Sequence, residues 1–141
     1  MTPEENALRG YARLVDAIEL NVDQQAAIRR MMEAVVARDE SVVADLLSHR
    51  AYPENVYAAP SSDFWMWADD YAGERLHLVM PPGDVGDWGV WGFPTSGGAP
   101  GELALHADVW ATSGRTDLTI QFRLIPDGDR HRVELDDMHV M

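Results

Sequence analysis

The sequence predicts an α+β domain in which helices come first and an antiparallel sheet follows. Up to residue 50 the apolar residues recur every three or four positions, which is the spacing of amphipathic helices. From Leu76 onward they recur every second position, which is the spacing of strands that bury one face. Helices followed by strands favour a helical layer packed on one face of a sheet. Because 141 residues are typical of one domain, we expect a single domain over residues 1–141.

Three amphipathic helices are predicted within residues 1–50. The first covers residues 2–21, the second begins at Asp23 and the third begins at Asp39. Aspartate suits both starts because its carboxylate accepts hydrogen bonds from the free N–H groups of a first helical turn. We therefore expect a layer of three helices before the sheet begins.

A fourth, short helix is predicted over residues 62–72. Its apolar residues continue at helical spacing, its aspartates disfavour a strand, and Gly73 is suited to end it. The same apolar run can also form a buried strand, so both alternatives remain open at this point.

Five strands of a mainly antiparallel meander are predicted after the helices, with turns at residues 113–114 and 126–129. In the last strand Val133 and Leu135 share one face, but Met138 has the parity of the opposite face. One extra residue near Asp136 and Asp137 restores Met138 to the core side, so we expect a β-bulge there. A bulge curves a sheet, and a curved sheet can enclose a pocket against a helix. The predicted strands are residues 76–80, 88–93, 103–111, 118–124 and 131–140.

The chain is strongly acidic. It has 24 acidic residues against 11 basic ones, all of them arginine, and a formal net charge of −13. Nucleic acid and anionic lipid are not expected as partners, because proteins bind both through Lys and Arg contacts. A high net charge is typical of a soluble protein, and it also favours electrostatic steering toward a basic protein partner.

Several classes of site and compartment are disfavoured by composition. The absence of cysteine excludes disulfides, thiolate metal sites and a cysteine nucleophile. The glycine-rich segment 96–101 lacks the Lys-Ser/Thr of a phosphate-binding loop, so we expect no cofactor. No signal peptide and no run of ~20 apolar residues is found, so we expect a bacterial cytoplasmic protein that does not contact a membrane.

Three helices followed by a strongly curved meander resemble the cone-shaped NTF2-like or SnoaL-like fold. Residues 30–47, which form two predicted helices joined at an aspartate, resemble the second and third helices of that superfamily. Residues 110–119 (WATSGRTDLT) and 136–141 (DDMHVM) resemble an uncharacterised bacterial domain family. That family has a Gly-Arg-Ser/Thr-Asp-Leu-Thr turn and a closing Asp-x-His-Val motif. The turn after Trp110 is shorter here, and this resemblance implies a fold without implying an activity.

Asp137 and His139 are the candidate catalytic residues. Two positions apart in a strand, they share a face and can form a dyad. A histidine acts as an acid or base near neutral pH, and burial can bring a carboxylate into the same range. The resemblance to SnoaL-like cyclases and dehydratases implies that such a pair lies inside the cone. The alternative is that His139 only packs or caps the end of the chain.

A metal site is a weaker hypothesis on the same strands. His106 and Asp108 share one face of the third predicted strand, and a neighbouring strand can add Asp137 or His139. Two histidines and a carboxylate would suit zinc or iron. Nothing in the spacing requires this arrangement, so no metal is expected and His106 is a candidate binding residue instead.

Arg115 and Asp117 are a candidate binding pair beside the turn at Gly114. The structural interpretation is that Gly114 supplies the turn while Asp117 accepts backbone hydrogen bonds or pairs with Arg115. The functional interpretation is an exposed Arg–Asp pair that binds a carboxylate or the backbone of a partner.

Two of the five tryptophans, Trp67 and Trp110, fall at positions that face away from the predicted core. Tryptophan is enriched at the centres of protein interfaces, so an exposed one on an acidic surface indicates a binding site. The leading functional hypothesis is therefore a non-enzymatic, protein-binding factor of the immunity or regulatory type. The alternatives are a SnoaL-like small-molecule binding protein or enzyme, and a module that forms a homodimer through the outer face of its sheet.

Overall fold

The computed structural model describes residues 20–47, 64–95 and 98–140. Within these ranges the fold is α+β, with three helices packed on an antiparallel sheet that is curled into a half-barrel. The predicted helix over residues 2–21 lies almost entirely outside the described residues. The helices are α1 (Val22–Val36), α2 (Glu40–Leu46) and α3 (Met66–Ala72), and the strands are β1 (Leu78–Val79), β2 (Trp91–Pro94), β3 (Leu103–Ala111), β4 (Gly114–Asp127) and β5 (Arg130–Val140).

The sheet has the order β1–β3–β4–β5, and β2 pairs with β3 beside β1. β1 lies at the carboxyl end of β3, where Leu78 is opposite Ala111, and β2 lies at its amino end, where Pro94 is opposite Leu103. No helix among the described residues is long and apolar enough to cross a membrane.

The hydrophobic core lies between α1 and one face of the sheet. The alternation predicted for β3 and β4 is confirmed, because every second residue is buried along β3 and from Leu118 to Leu124 of β4. We call the opposite side of the sheet the outer face. The core residues contributed by the central strands are Leu103, Leu105, Ala107 and Val109 from β3 and Leu118, Ile120, Phe122 and Leu124 from β4, and those from α1 are Ala27, Ile28, Met31, Met32, Ala34 and Val35.

The predicted helix starts are confirmed at α2 and wrong at α1. Asp39 caps α2, where its carboxylate accepts a hydrogen bond from the Val42 amide. At α1 the cap is Asn21, because Asn21 and Gln24 exchange side-chain and backbone hydrogen bonds in a capping box. Asp23 lies in the first turn instead.

Residues 66–72 form a helix, so the helical alternative for this segment is confirmed. Gly73 ends it with a φ of 71°, a backbone conformation that residues with a Cβ atom rarely adopt.

The first two strands are shorter than predicted. β1 covers two residues. Trp88 directly follows the 3-10 helix Val85–Asp87 and donates its indole N–H to the Gly83 carbonyl, so β2 begins only at Trp91.

The β-bulge predicted in the last strand is confirmed. Gln121 of β4 is opposite Asp137 whereas Phe122 is opposite Leu135, so Asp136 is the extra residue of β5. Asp136 and Asp137 therefore both face outward, and Met138 returns to the core with 1% of its surface exposed.

Candidate functional site

The predicted dyad of Asp137 and His139 forms, but it lies on the outer face of the sheet. His139 Nδ1 is 2.8 Å from Asp137 Oδ1, so the ring can donate its Nδ1–H to the carboxylate. Met138 between them is buried in the core, which places both neighbours on the opposite side. The expectation that this pair points into a pocket between helices and sheet is wrong, and the bulge at Asp136 is the physical reason.

His106 is buried on the outer face, in the same cross-strand row as Asp137. Gln121 of β4 lies between them, as it is opposite His106 on one side and Asp137 on the other. The Trp91 ring stacks on the His106 ring, with centroids 4.2 Å apart and planes 7° apart. Only 9% of His106 is exposed, and its Nδ1 atom has no hydrogen-bond partner. The register therefore places three polar side chains side by side on the outer face of the sheet.

The pKa of His106 lies below its ordinary value. Burial is the main cause, since it disfavours the charged ring, and the neighbouring His139 acts in the same direction. The carboxylates of Asp137 and Asp136 oppose this effect in part. The neutral form of the His106 ring is therefore favoured over the charged form relative to a histidine in water.

We expect the stability of the protein to fall as the pH is lowered below the ordinary histidine pKa of 6.5. The unfolded chain takes up the His106 proton first, so the free energy of unfolding falls until the pH reaches the lower native pKa. The slope from this one group is at most about 1.4 kcal/mol per pH unit. Urea unfolding at several pH values measures it, and His106→Gln should remove this part of the slope. An unchanged slope in the variant would refute the assignment.

The histidines and aspartates of the outer face do not form a metal site in this geometry. Among the described residues, no group of three or more His, Asp or Glu side chains is placed to hold a metal ion. Asp108 is directed to Arg115, whose Nη1 atom is 3.7 Å from its Oδ2. His106, Asp137 and His139 are thus brought to one face without converging on one point.

A second candidate site is formed by α3 and the beginning of β4. Trp67 is 62% exposed and Tyr71 is 48% exposed, and their four-residue spacing puts both on one side of α3. The Tyr71 hydroxyl donates a 2.9 Å hydrogen bond to Asp117 Oδ2, and this bond raises the pKa of Tyr71. We call Trp67, Tyr71 and Asp117 the α3 patch.

The other side of α3 is fixed to the rest of the molecule. The buried Trp65 donates its indole N–H to the Val35 carbonyl at 3.0 Å. The Asp69 carboxylate accepts two hydrogen bonds from Arg38 at 2.7 and 3.0 Å, and a third from the Leu76 amide. The Arg38 hydrogen bond lowers the pKa of Asp69. The α3 patch is therefore presented by a helix whose position is fixed.

The predicted pairing of Arg115 with Asp117 is wrong. Asp117 binds Tyr71, and Arg115 is nearest to Asp108. Trp110 lies on the outer face opposite Arg115 and is partly buried. Both Trp67 and Trp110 were expected to be exposed, and Trp67 is the one whose side chain is mostly open to solvent. Tyr71 was missed as a site residue, although its position four residues after Trp67 in a predicted helix was a usable signal.

Two surface depressions of about 270 and 280 Å³ share Arg38 and Arg75 among their lining residues. They lie between the α1–α2 turn and the segment before β1, and neither is lined by Asp137 or His139.

Comparisons of the chain with protein families, with curated proteins and with solved structures found no match.

Proposed function

We propose that the protein is a non-enzymatic, protein-binding factor, of the immunity or regulatory type, that binds a basic partner through the α3 patch. The observation that carries this proposal is the exposure of Trp67, at 62% of its surface, beside Tyr71 and its bound Asp117. Tryptophan and tyrosine dominate the energetic centres of protein interfaces. A large indole left in water on a fixed helix is therefore best explained by a partner that covers it.

The anchoring of α3 supports the same function. A binding surface that is ordered before association loses less conformational entropy when the partner arrives. The contacts of Trp65 and Asp69 with Val35, Arg38 and Leu76 hold the helix in place from the core side. The aromatic side chains on its other side are thus presented in advance.

Charge determines the kind of partner that we propose. The net charge of −13 attracts a basic protein over long distances, and Asp117 places a carboxylate inside the patch itself. Asp70 and Glu74, both exposed, add acidic side chains on and just after α3. We propose that this association takes place in a bacterial cytoplasm, with nucleic acid and membranes not involved.

We expect Trp67→Ala to weaken the complex strongly while leaving the fold intact. Removal of a tryptophan at an interface centre costs about 2 kcal/mol or more, which raises the Kd at least about 30-fold. The partner is first captured from an extract of the producing cells, purified, and titrated against each variant by calorimetry. Val22→Ala is the matched control, because Val22 is 84% exposed but lies at the start of α1. Equal affinity of the two variants for the purified partner would overturn the proposal.

A second candidate function is acid–base chemistry on the outer face. The 2.8 Å contact between His139 and Asp137 favours it, because a carboxylate that orients a histidine makes the other ring nitrogen a base. Activity lost in His139→Gln, with partner binding unchanged, would favour this candidate over the first.

The finer fold assignment is also a proposal. We propose an NTF2-like or SnoaL-like cone, supported by the order of helices before strands and by a bulged, curled antiparallel sheet. A homodimer through the outer face is part of this proposal, and sedimentation equilibrium tests it directly.

A further inference from the structure

We propose that the group recognised by the α3 patch is an arginine side chain of the partner, whose guanidinium stacks on Trp67 and pairs with Asp117. This inference rests on the proposed function and adds the chemistry of the contact. It is carried by an arrangement that is complete twice in the described part of the chain and is incomplete on the exposed side of α3.

The two complete arrangements each combine a tryptophan, an arginine and an aspartate. The Arg29 guanidinium lies 5.6 Å from the centre of the Trp88 ring and 3.0 Å from Asp84 Oδ1. Both residues that flank this guanidinium come from the turn before β2, whereas Arg29 comes from α1. In this arrangement the arginine joins two separate elements of the fold.

The second complete arrangement lies directly behind the α3 patch. The Arg38 guanidinium is 5.9 Å from the centre of the Trp65 ring and 2.7 Å from Asp69 Oδ1. The tryptophan and the aspartate belong to the α3 segment, and the arginine comes from the turn after α1. A guanidinium over an indole face gains cation–π attraction, and the adjacent carboxylate adds a charge-assisted hydrogen bond.

The α3 patch has the tryptophan and the carboxylate without the arginine. Trp67 offers an open indole, and Tyr71 places a second ring one helical turn away. Asp117 accepts the Tyr71 hydroxyl through Oδ2. In the described part of the chain, no arginine lies within ion-pair distance of Asp117. A guanidinium supplied by a partner would complete the same set of three groups.

Arginine fits this surface better than lysine for geometric reasons. Its guanidinium is planar, so it can stack on an indole while its edge donates N–H groups to a carboxylate. A lysine ammonium is a compact and strongly hydrated charge, and it cannot make both contacts in this way. The patch should therefore discriminate between two cations of equal charge.

The test uses capped Gly-Arg-Gly, Gly-Lys-Gly and Gly-citrulline-Gly peptides and the intact, ¹⁵N-labelled protein. The five tryptophan indole N–H signals report the contact, and the Trp67→Phe variant identifies the signal of Trp67. We expect the arginine peptide to shift the Trp67 signal with an affinity at least about threefold above that of lysine. The neutral citrulline peptide, which has nearly the shape of arginine, should leave the signal unchanged.

Matched variants separate local recognition from general attraction to an acidic protein. Asp117→Asn should lower the affinity for the arginine peptide at least threefold, an expected loss comparable to that of one exposed cation–π contact. Asp129→Asn removes the same charge from the exposed β4–β5 turn and should leave the affinity unchanged. Far-ultraviolet circular dichroism verifies that each variant is folded.

Two results would overturn the inference, and they are distinguishable from failure of the proposed function. One is equal binding of the arginine, lysine and citrulline peptides, and the other is an equal effect of the two aspartate substitutions. If either occurs while the purified partner still requires Trp67, the patch binds its partner through another group. If the partner binds without Trp67 as well, the proposed function fails together with the inference.

Discussion

Replacement of Trp65 by alanine is expected to lower the free energy of unfolding by about 3–5 kcal/mol, the range for removal of a buried aromatic side chain. Only 2% of Trp65 is exposed, and its ring packs edge-on against Phe64 with centroids 5.4 Å apart. The substitution also removes the indole hydrogen bond to the Val35 carbonyl and the ring beneath the Arg38 guanidinium. Each of these contacts holds α3 against the end of α1.

The adjacent tryptophan supplies the control for this experiment. Trp67→Ala changes a side chain that is mostly in water, so the free energy of unfolding should change by less than about 0.5 kcal/mol. Urea unfolding followed by circular dichroism measures both variants under one condition. We thus expect Trp65 to stabilise the fold and Trp67 to contribute to partner binding without stabilising the fold. Comparable stability of Trp65→Ala and Trp67→Ala would contradict the assignment of α3 as an anchored helix.

Asp136→Ala is expected to lower the free energy of unfolding by about 3 kcal/mol, because it leaves a mostly buried arginine without its partner. Arg123 donates two hydrogen bonds to the Asp136 carboxylate, at 2.7 and 3.2 Å. The two side chains are 15% and 14% exposed, so water replaces little of the lost interaction. The pair fixes the extra residue of the bulge to the neighbouring strand, and the loss should be measurable by urea unfolding.

The double variant Arg123→Met, Asp136→Leu tests whether the cost comes from the unpaired charge. Replacement of a buried ion pair by apolar residues is often neutral or stabilising, so we expect the double variant to recover most of the loss. A loss in the double variant as large as in the single one would mean that the bulge itself requires the carboxylate. A single variant as stable as the original protein would show that Arg123 is solvated after all.

The parts of the fold that follow from periodicity could be predicted from the sequence. The switch from helical to alternating spacing gave the order of helices and strands, and the parity of Met138 located the bulge at Asp136. The cap of α1 was misassigned because Asn21 and Asp23 are both good capping residues, and only Asn21 has a glutamine three positions later. The late start of β2 depends on a 3-10 turn that competes locally with strand pairing.

The candidate sites were predictable only where they depend on neighbours in sequence. The contact between Asp137 and His139 follows from their two-residue spacing in a strand. The expectation that they lie inside the cone was wrong although the predicted bulge already argued against it, since a bulge that returns Met138 to the core must place its neighbours outside. The bond between Tyr71 and Asp117 joins residues 46 positions apart, and no local pattern indicates it.

Site-specific photo-cross-linking is the most direct test of the claim that α3 carries the binding surface. A photoreactive amino acid replaces the exposed Asp70 of α3 in one variant, so that Trp67 stays in place, and His139 in another, and both are irradiated with the purified partner. We predict a cross-link to the partner from position 70 and none to the partner from position 139. A cross-link to the partner from position 139 alone would assign the interface to the outer face of the sheet and contradict the proposed role of α3.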